Sequence, residues 1–170
     1  MMVRRRNAIF SALAVSIVLV MLAGGCAMNH SDEPQHTASG GQSLSSAKEE
    51  LAHKSGLRDT GIEVDTSYSG ASKRSLITVE ATVSDEAQIP QVIDYLAQVG
   101  WSINEVEPDT GIFVRIRFTP QPIIGKVAQT NGWTTATYSS ATDGLKQLVV
   151  LPKAAVSQRF GNWPGPAPKP

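Results

Sequence analysis

An uncharged apolar segment lies near the N-terminus of this chain and ends at the only cysteine of the sequence. Residues 8–25 (AIFSALAVSIVLVMLAGG) carry no charged side chain and directly follow Arg4, Arg5, Arg6 and Asn7. A basic stretch followed by an apolar run and small residues is typical of a secretory signal peptide, which does not belong to the mature fold. The run is also close to the length of a membrane-spanning helix, about 20 residues. We therefore expect the folded domain to lie after it.

The end of this segment, Leu22-Ala23-Gly24-Gly25-Cys26, resembles the lipobox of bacterial lipoproteins. The resemblance covers the first 26 residues, and it departs from the usual pattern because the leucine stands four places before the cysteine instead of three. It implies that residues 1–25 are a signal peptide cleaved after Gly25 and that Cys26 carries a diacylglyceryl group. Several acyl chains hold a protein at a membrane, whereas one chain gives only marginal binding. The alternatives are a buried structural cysteine and an uncleaved membrane anchor.

A lipoprotein and an uncleaved anchor have the same topology, because the arginines stay on the cytoplasmic side. We expect a protein of the cell membrane, attached to the lipid bilayer through acylated Cys26, with its domain on the extracytoplasmic side. Residues 26–170 contain 12 basic and 15 acidic side chains, a balance that disfavours nucleic acid as a partner. With a single cysteine no intrachain disulfide can form, so the domain must be stable through its core.

The compositions of the two flanking segments do not favour a packed core. Residues 26–46 are interpreted as the lipidated cysteine and a flexible linker, because they are rich in serine, glycine and polar residues. His30 and His36 in this linker match no established metal-ligand spacing, so we expect no metal site there. Residues 162–170 have proline at every second position from Pro164, which predicts an extended, disordered tail.

Residues 47–161 are interpreted as a single domain of alternating helices and strands. Ser46 and Glu49 fit a capping box and predict a first helix over about residues 47–55. Apolar alternation predicts strands at residues 62–68 and 77–83, a hairpin about Asp109–Gly111, and a buried strand at residues 148–151. Helical spacing, proline starts and glycine stops predict helices at residues 90–100, 122–132 and 152–160.

This order of elements predicts an α+β fold. The expected architecture is a two-layer sandwich, in which a mostly antiparallel sheet is covered by helices on one face. The spacing from Pro90 to Trp101 recurs from Pro122 to Trp133, which suggests that helix, strand and strand (αββ) form a repeated unit.

The predicted hairpin supplies the candidate site. Its register puts Glu105 opposite Arg115 and turns the charged side chains towards solvent. These residues form a candidate ligand face, with ordinary cross-strand ion pairs of a solvated sheet as the structural alternative. The members of the candidate face are Glu105, Glu107, Arg115, Arg117 and Trp101.

The sequence offers little for catalysis. All three histidines precede the predicted sheet, so no Ser-His-Asp or Cys-His arrangement has a base. We expect no catalytic residue, metal or cofactor. The expected function is that of a non-catalytic, lipid-anchored lipoprotein that binds or braces an envelope protein or a cell-wall component. The alternative is a small envelope hydrolase that uses Glu105 and Glu107 as paired carboxylates.

Overall fold

The structure is a computed structural model that describes residues 40–169 of the chain. The predicted signal peptide, Cys26 and residues 27–39 of the predicted linker lie outside the described residues. The residues from 40 to 169 belong to one compact unit. Within them, no helix has both the length and the apolar character needed to cross a bilayer.

Helices and strands alternate along the described part of the chain, which confirms the predicted α+β class. The helices are α1 (Leu44–His53), α2 (Ile89–Ser102), α3 (Ile124–Thr130), α4 (Asp143–Lys146) and α5 (Lys153–Phe160). The strands are β1 (Leu57–Ser69), β2 (Ser72–Val83), β3 (Gly111–Arg117), β4 (Thr137–Tyr138) and β5 (Leu148–Pro152). A short 3₁₀ turn, Glu86–Gln88, leads into α2.

The five strands form one mixed sheet in the order β1-β2-β3-β5-β4. Three of the four neighbouring pairs are antiparallel, as predicted, and β2 and β3 are parallel. Parallel neighbours cannot be joined by a tight turn, so the chain crosses over between them through α2. The result is a β2-α2-β3 unit at the centre of the domain.

One face of the sheet carries the core. Along β2, every second side chain from Ile77 to Val83 is buried, while the residues between them face the opposite, outer side. The buried strand residues join apolar side chains of α1, α2, α3 and α5 in a single cluster. Gly100 lets α2 lie close to the sheet, since a Cβ there would be 3.0 Å from side-chain atoms of Val79 and Ile112. The predicted two-layer arrangement, with helices on one face, is therefore present.

The predicted hairpin about Asp109–Gly111 is wrong. Strand β3 pairs with β2 on one side and with β5 on the other. Both of its edges are therefore occupied, and residues 104–107 cannot pair with it. Asp109 instead accepts a hydrogen bond from the backbone N–H of Ser75. Gly111 has a positive φ of 128° and starts β3, where a side chain would collide with Leu151. Only one strand, β3, lies between α2 and α3, so α2 does not begin an αββ unit.

The start of the domain also differs from the prediction. The helix α1 begins at Leu44, and its N-cap is Ser43 instead of Ser46, because the Ser43 side chain accepts a hydrogen bond from the backbone N–H of Ser46. The preceding residues belong to the fold, since Gln42 forms an isolated parallel bridge with Ile103. Residues 40–46 are therefore part of the domain and not of the linker.

Residues 162–169 pack against the C-terminal half of α2. The Trp163 indole donates to the carbonyl of Ile103 at 3.0 Å, and the backbone N–H of Gly165 donates to the carbonyl of Trp101 at 3.1 Å. In return, the Trp101 indole donates to the carbonyl of Gly161 at 2.9 Å. These contacts correct the prediction of a disordered tail, because they satisfy backbone and indole groups that would otherwise need water.

Candidate functional site

The candidate site lies at the carboxyl ends of β2 and β3, on the outer side of the sheet. Register places Arg58 of β1 beside Thr82 of β2, and Thr82 beside Arg117 of β3, in one cross-strand row. These residues and their neighbours line an open cavity of about 640 Å³, which we call the arginine cleft. Its lining residues are Arg58, Thr82, Val83, Ser84, Arg117, Phe118, Thr119, Gln121 and Gln147.

A β-bulge brings Arg58 into this row. The pairing of β1 with β2 shifts by one residue between Arg58 and Gly61, and Asp59 inside the bulge has a positive φ of 46°. A bulge inserts an extra residue into one strand and changes where its side chains point. Gly61 faces Glu80 across the pair, and a Cβ there would lie only 3.1 Å from the Glu80 carboxylate. The bulge and this glycine thus leave room for both Arg58 and Glu80.

The charges of the cleft are unequal. Glu80 Oε2 accepts from Arg117 at 2.7 Å and from Arg115 at 3.0 Å, so one carboxylate serves two guanidinium groups. Arg58 donates to the hydroxyl of Ser84 at 2.9 Å and forms no ion pair with an acidic residue in the described range. Of these charged residues only Arg58 and Arg117 line the cleft, which has no acidic lining residue in the described part of the chain and is therefore positively charged.

The arrangement suits an anionic ligand. Guanidinium groups form planar, bidentate hydrogen bonds with carboxylates and phosphates. The hydroxyls of Thr82, Ser84 and Thr119 add short donors to the same cavity. The Gln121 side chain is already occupied, because it donates to the carbonyls of Ile116 and Pro122 and accepts from the Phe118 N–H. The cleft thus offers arginine and hydroxyl donors that are chemically suited to a negatively charged group.

The candidate ligand face predicted from the sequence is not assembled. Arg115 and Arg117 come together on the outer face, but their partner is Glu80 and not Glu105. Glu105 accepts a hydrogen bond of 2.7 Å from the backbone N–H of Leu44, at the start of α1. The other two residues of the predicted face are also apart from the arginines. Glu107 pairs with Lys153 at 2.7 Å, and Trp101 is buried, with 1% of its surface exposed.

Sequence reasoning missed Arg58, Glu80 and Ser84. Glu80 and Thr82 alternate with buried residues of β2, so their position on the outer face was readable from the pattern. The parallel register of β2 and β3 brings Glu80 and Thr82 close to Arg115 and Arg117. The bulge in β1 brings Arg58 into the same row. Neither of these long-range pairings has a local sequence signal.

A second cavity, of about 370 Å³, lies beside Tyr95 of α2. Burial raises the pKa of Tyr95 to about 12, and the nearby Glu50 carboxylate adds to the shift through its charge and the hydrogen bond it accepts. The phenol donates to Glu50 Oε1 at 3.3 Å, and the ammonium of Lys54 lies 4.8 Å from the ring centroid. A phenol with this pKa stays protonated at neutral pH, so it acts as a hydrogen-bond donor between α1 and α2.

Two further observations bear on function. Among residues 40–169, no three or more His, Cys, Asp or Glu side chains are grouped so that they could hold a metal ion. In the comparisons with known proteins, no family model, curated protein or solved structure matches the chain. The features of this chain that bear on its function are therefore the arginine cleft and the N-terminal sequence.

Proposed function

We propose that this protein is a lipid-anchored, extracytoplasmic lipoprotein that binds, without catalysis, an anionic group of another envelope component. Cys26 attaches the chain to the membrane, and the arginine cleft holds the anion. The observation that carries the binding proposal is the excess of positive charge in the cleft, where Arg58 has a hydroxyl as its partner in place of a carboxylate. A second guanidinium, that of Arg117, lies in the same cross-strand row.

The position of the cleft supports this proposal. The described chain begins at Gly40, beside the C-terminal end of α2, where Gln42 donates to the carbonyl of Ser102 at 2.7 Å. The cleft lies at the other end of the parallel strands. From Ser75 to Thr82 the strand β2 rises about 23 Å, at about 3.3 Å per residue. A membrane attachment before Gly40 and a cleft at the opposite end leave the cleft open to a partner.

The segment between Cys26 and the domain limits how far the domain can lie from the membrane. Residues 27–39 separate Cys26 from the described domain. A chain of that length spans at most about 45 Å when fully extended. The domain would thus stay close to the membrane surface, within reach of components attached to the same envelope.

The alternative hydrolase has no observation in its favour. It requires Glu105 and Glu107 to flank a substrate beside an exposed tryptophan. Each of these carboxylates has its own partner, a backbone N–H for Glu105 and Lys153 for Glu107, while Trp101 is buried. We therefore keep binding as the proposed function.

Calorimetric titration with inorganic pyrophosphate tests the cleft, using the full chain in a neutral detergent. We expect Arg58→Gln to weaken binding at least tenfold, because a charge-assisted hydrogen bond contributes about 1.5 to 3 kcal/mol. Lys126→Gln removes one positive charge from an exposed position outside the cleft, and it should leave the affinity nearly unchanged. Equal effects of the two variants, or an absence of binding by the unaltered chain, would contradict the proposal.

A further inference from the structure

The hairpin that joins β1 to β2 extends beyond the rest of the sheet. The two strands stay paired up to Ser69 and Ser72, with Gly70 and Ala71 as the turn. The next strand, β3, pairs with β2 only from Ile77 onwards. Residues 66–74, which we call the β1–β2 arm, are all exposed.

The arm and the start of the described chain lie at the same end of the domain. Asp109, a short distance after α2, is bonded to Ser75 at the base of the arm. Gln42 is bonded to Ser102 and bridges Ile103 at the end of the same helix. From Ser75, the paired strands continue for three residues to Ser72, so the arm projects roughly 10 Å further.

The composition of the arm favours an anionic, interfacial surface. Its sequence, TSYSGASKR, contains Lys73 and Arg74 and no acidic residue. Tyr68 near its tip is 73% exposed, the larger value of the two large hydrophobic side chains that are exposed in the described range. Tyr68 and Lys73 are cross-strand partners and thus share one side of the arm. This is the side on which Ile77 faces the helices, by the two-residue alternation of a strand.

The acidic side chains at this end do not cancel the charge of the tip. Asp109 is bonded to the backbone of Ser75, Glu107 pairs with Lys153, and Glu105 accepts from the backbone of Leu44. The acidic residue closest to the arm in sequence is Asp65, just before it, which forms no ion pair with Lys73 or Arg74 among the described residues. The exposed end of the arm therefore presents two positive charges and an aromatic ring.

We propose that the β1–β2 arm docks onto the anionic lipid surface of the membrane to which Cys26 attaches the chain. Tyrosine suits the boundary between headgroups and acyl chains, because its ring is apolar and its hydroxyl is polar. Lys73 and Arg74 are attracted by the anionic headgroups. Docking would orient the domain with the arm towards the membrane and the arginine cleft away from it. This inference rests on the membrane attachment in the proposed function.

The test places an indole at the tip of the arm. The full chain with Tyr68→Trp is reconstituted into vesicles whose lipids are brominated in the acyl chains, so that an indole at the interface is quenched. We expect the emission of this variant to be quenched more than that of the unaltered chain when the vesicles contain phosphatidylglycerol. In the same background, Lys73→Glu with Arg74→Glu should shift the docking equilibrium by at least roughly thirtyfold and remove the extra quenching.

The matched control makes the same change of charge elsewhere. Lys126→Glu with Lys169→Glu alters two exposed lysines, and Lys126 lies beside Pro90 at the other end of α2. This pair should leave the extra quenching in place. Flotation of the vesicles separates the two proposals. A chain that floats but shows no extra quenching overturns docking alone, whereas a chain that does not float overturns the membrane attachment as well. If copies of the Tyr68→Trp variant crosslink to one another and no quenching is seen, the arm contacts a second copy of the chain. That result would overturn membrane docking.

Discussion

The indole of Trp133 donates a hydrogen bond of 2.8 Å from Nε1 to the Oδ1 carboxylate oxygen of Asp94. The other carboxylate oxygen of Asp94 accepts from Arg159 at 2.5 Å, and the Arg159 guanidinium lies 4.7 Å from the centroid of the Trp133 ring. Asp94 belongs to α2, Trp133 follows α3, and Arg159 belongs to α5. One carboxylate thus connects three parts of the helical layer.

We predict that Asp94→Ala lowers the free energy of unfolding by about 2 to 3 kcal/mol. The substitution leaves the buried indole N–H without its acceptor and removes one of the two acceptors of the Arg159 guanidinium, whose other acceptor is the carbonyl of Asn131. Urea denaturation measures the change. Asp143→Ala removes an exposed carboxylate paired with Lys146 and should have almost no effect. Equal losses for the two variants would show that the Asp94 network is not stabilising.

The close packing of α3 on β4 gives a second prediction. A Cβ at Gly125 would overlap the ring of Tyr138, so Gly125→Ala should destabilise the domain by about 1 to 3 kcal/mol. This loss should appear although alanine favours a helix by up to about 1 kcal/mol over glycine. The control is Gly144→Ala in α4, where a Cβ has no neighbour within 4 Å. The double variant Gly125→Ala with Tyr138→Ala should lose less than the sum of the single changes. Strict additivity would contradict the predicted overlap.

The packed C-terminal segment leads to a third prediction. Deleting residues 162–170 should lower the free energy of unfolding by about 3 kcal/mol, because it exposes Trp101 and removes Trp163. The contact is close, since a Cβ on Gly165 would lie 2.6 Å from Cδ1 of Trp101. Thermal unfolding monitored by near-UV circular dichroism would show the loss. The matched variant Lys169→Ala should be neutral, because this side chain is exposed. A deletion as neutral as that substitution would mean that the segment does not stabilise the domain.

The pKa of Tyr95 predicts how stability changes at alkaline pH. Its folded-state pKa, about 12, is above the ordinary value of 10.0, mainly because of burial. A raised folded-state pKa means that the folded chain holds this proton more tightly, so the stabilisation is complete below pH 10 and disappears as the pH rises from 10 to 12. Tyr95→Phe should therefore reduce the fall in stability over that range, with Tyr68→Phe at an exposed site as the control. Identical pH profiles for Tyr95→Phe and the unaltered chain would contradict the prediction.

Local patterns predicted most of the elements of this fold. Alternation identified the second half of β1 and the second half of β2, and the continuous apolar run identified β5. The glycine that follows Phe160 and the proline before Lys153 marked both ends of α5. These signals succeed because the spacing of apolar residues along a strand or helix determines which of its faces is buried.

The errors arose where partners distant in sequence compete for the same backbone. Asp109-Thr110-Gly111 has the composition of a hairpin turn, yet the Asp109 carboxylate is bonded to Ser75 instead. The alternating prolines of the tail exclude a helix, as expected, but they leave the N–H of Gly165 free to bond to Trp101. The arginine cleft depends on such pairings too, since Arg58 and Arg117 meet only through β2.

The most direct test of the proposed function is the intact mass of the chain extracted from bacterial membranes. From the proposed function we expect the mass of residues 26–170 with a diacylglyceryl group on Cys26, and loss of both the modification and membrane retention in Cys26→Ser. A membrane-bound chain that still contains residues 1–25 and an unmodified Cys26 thiol would contradict it.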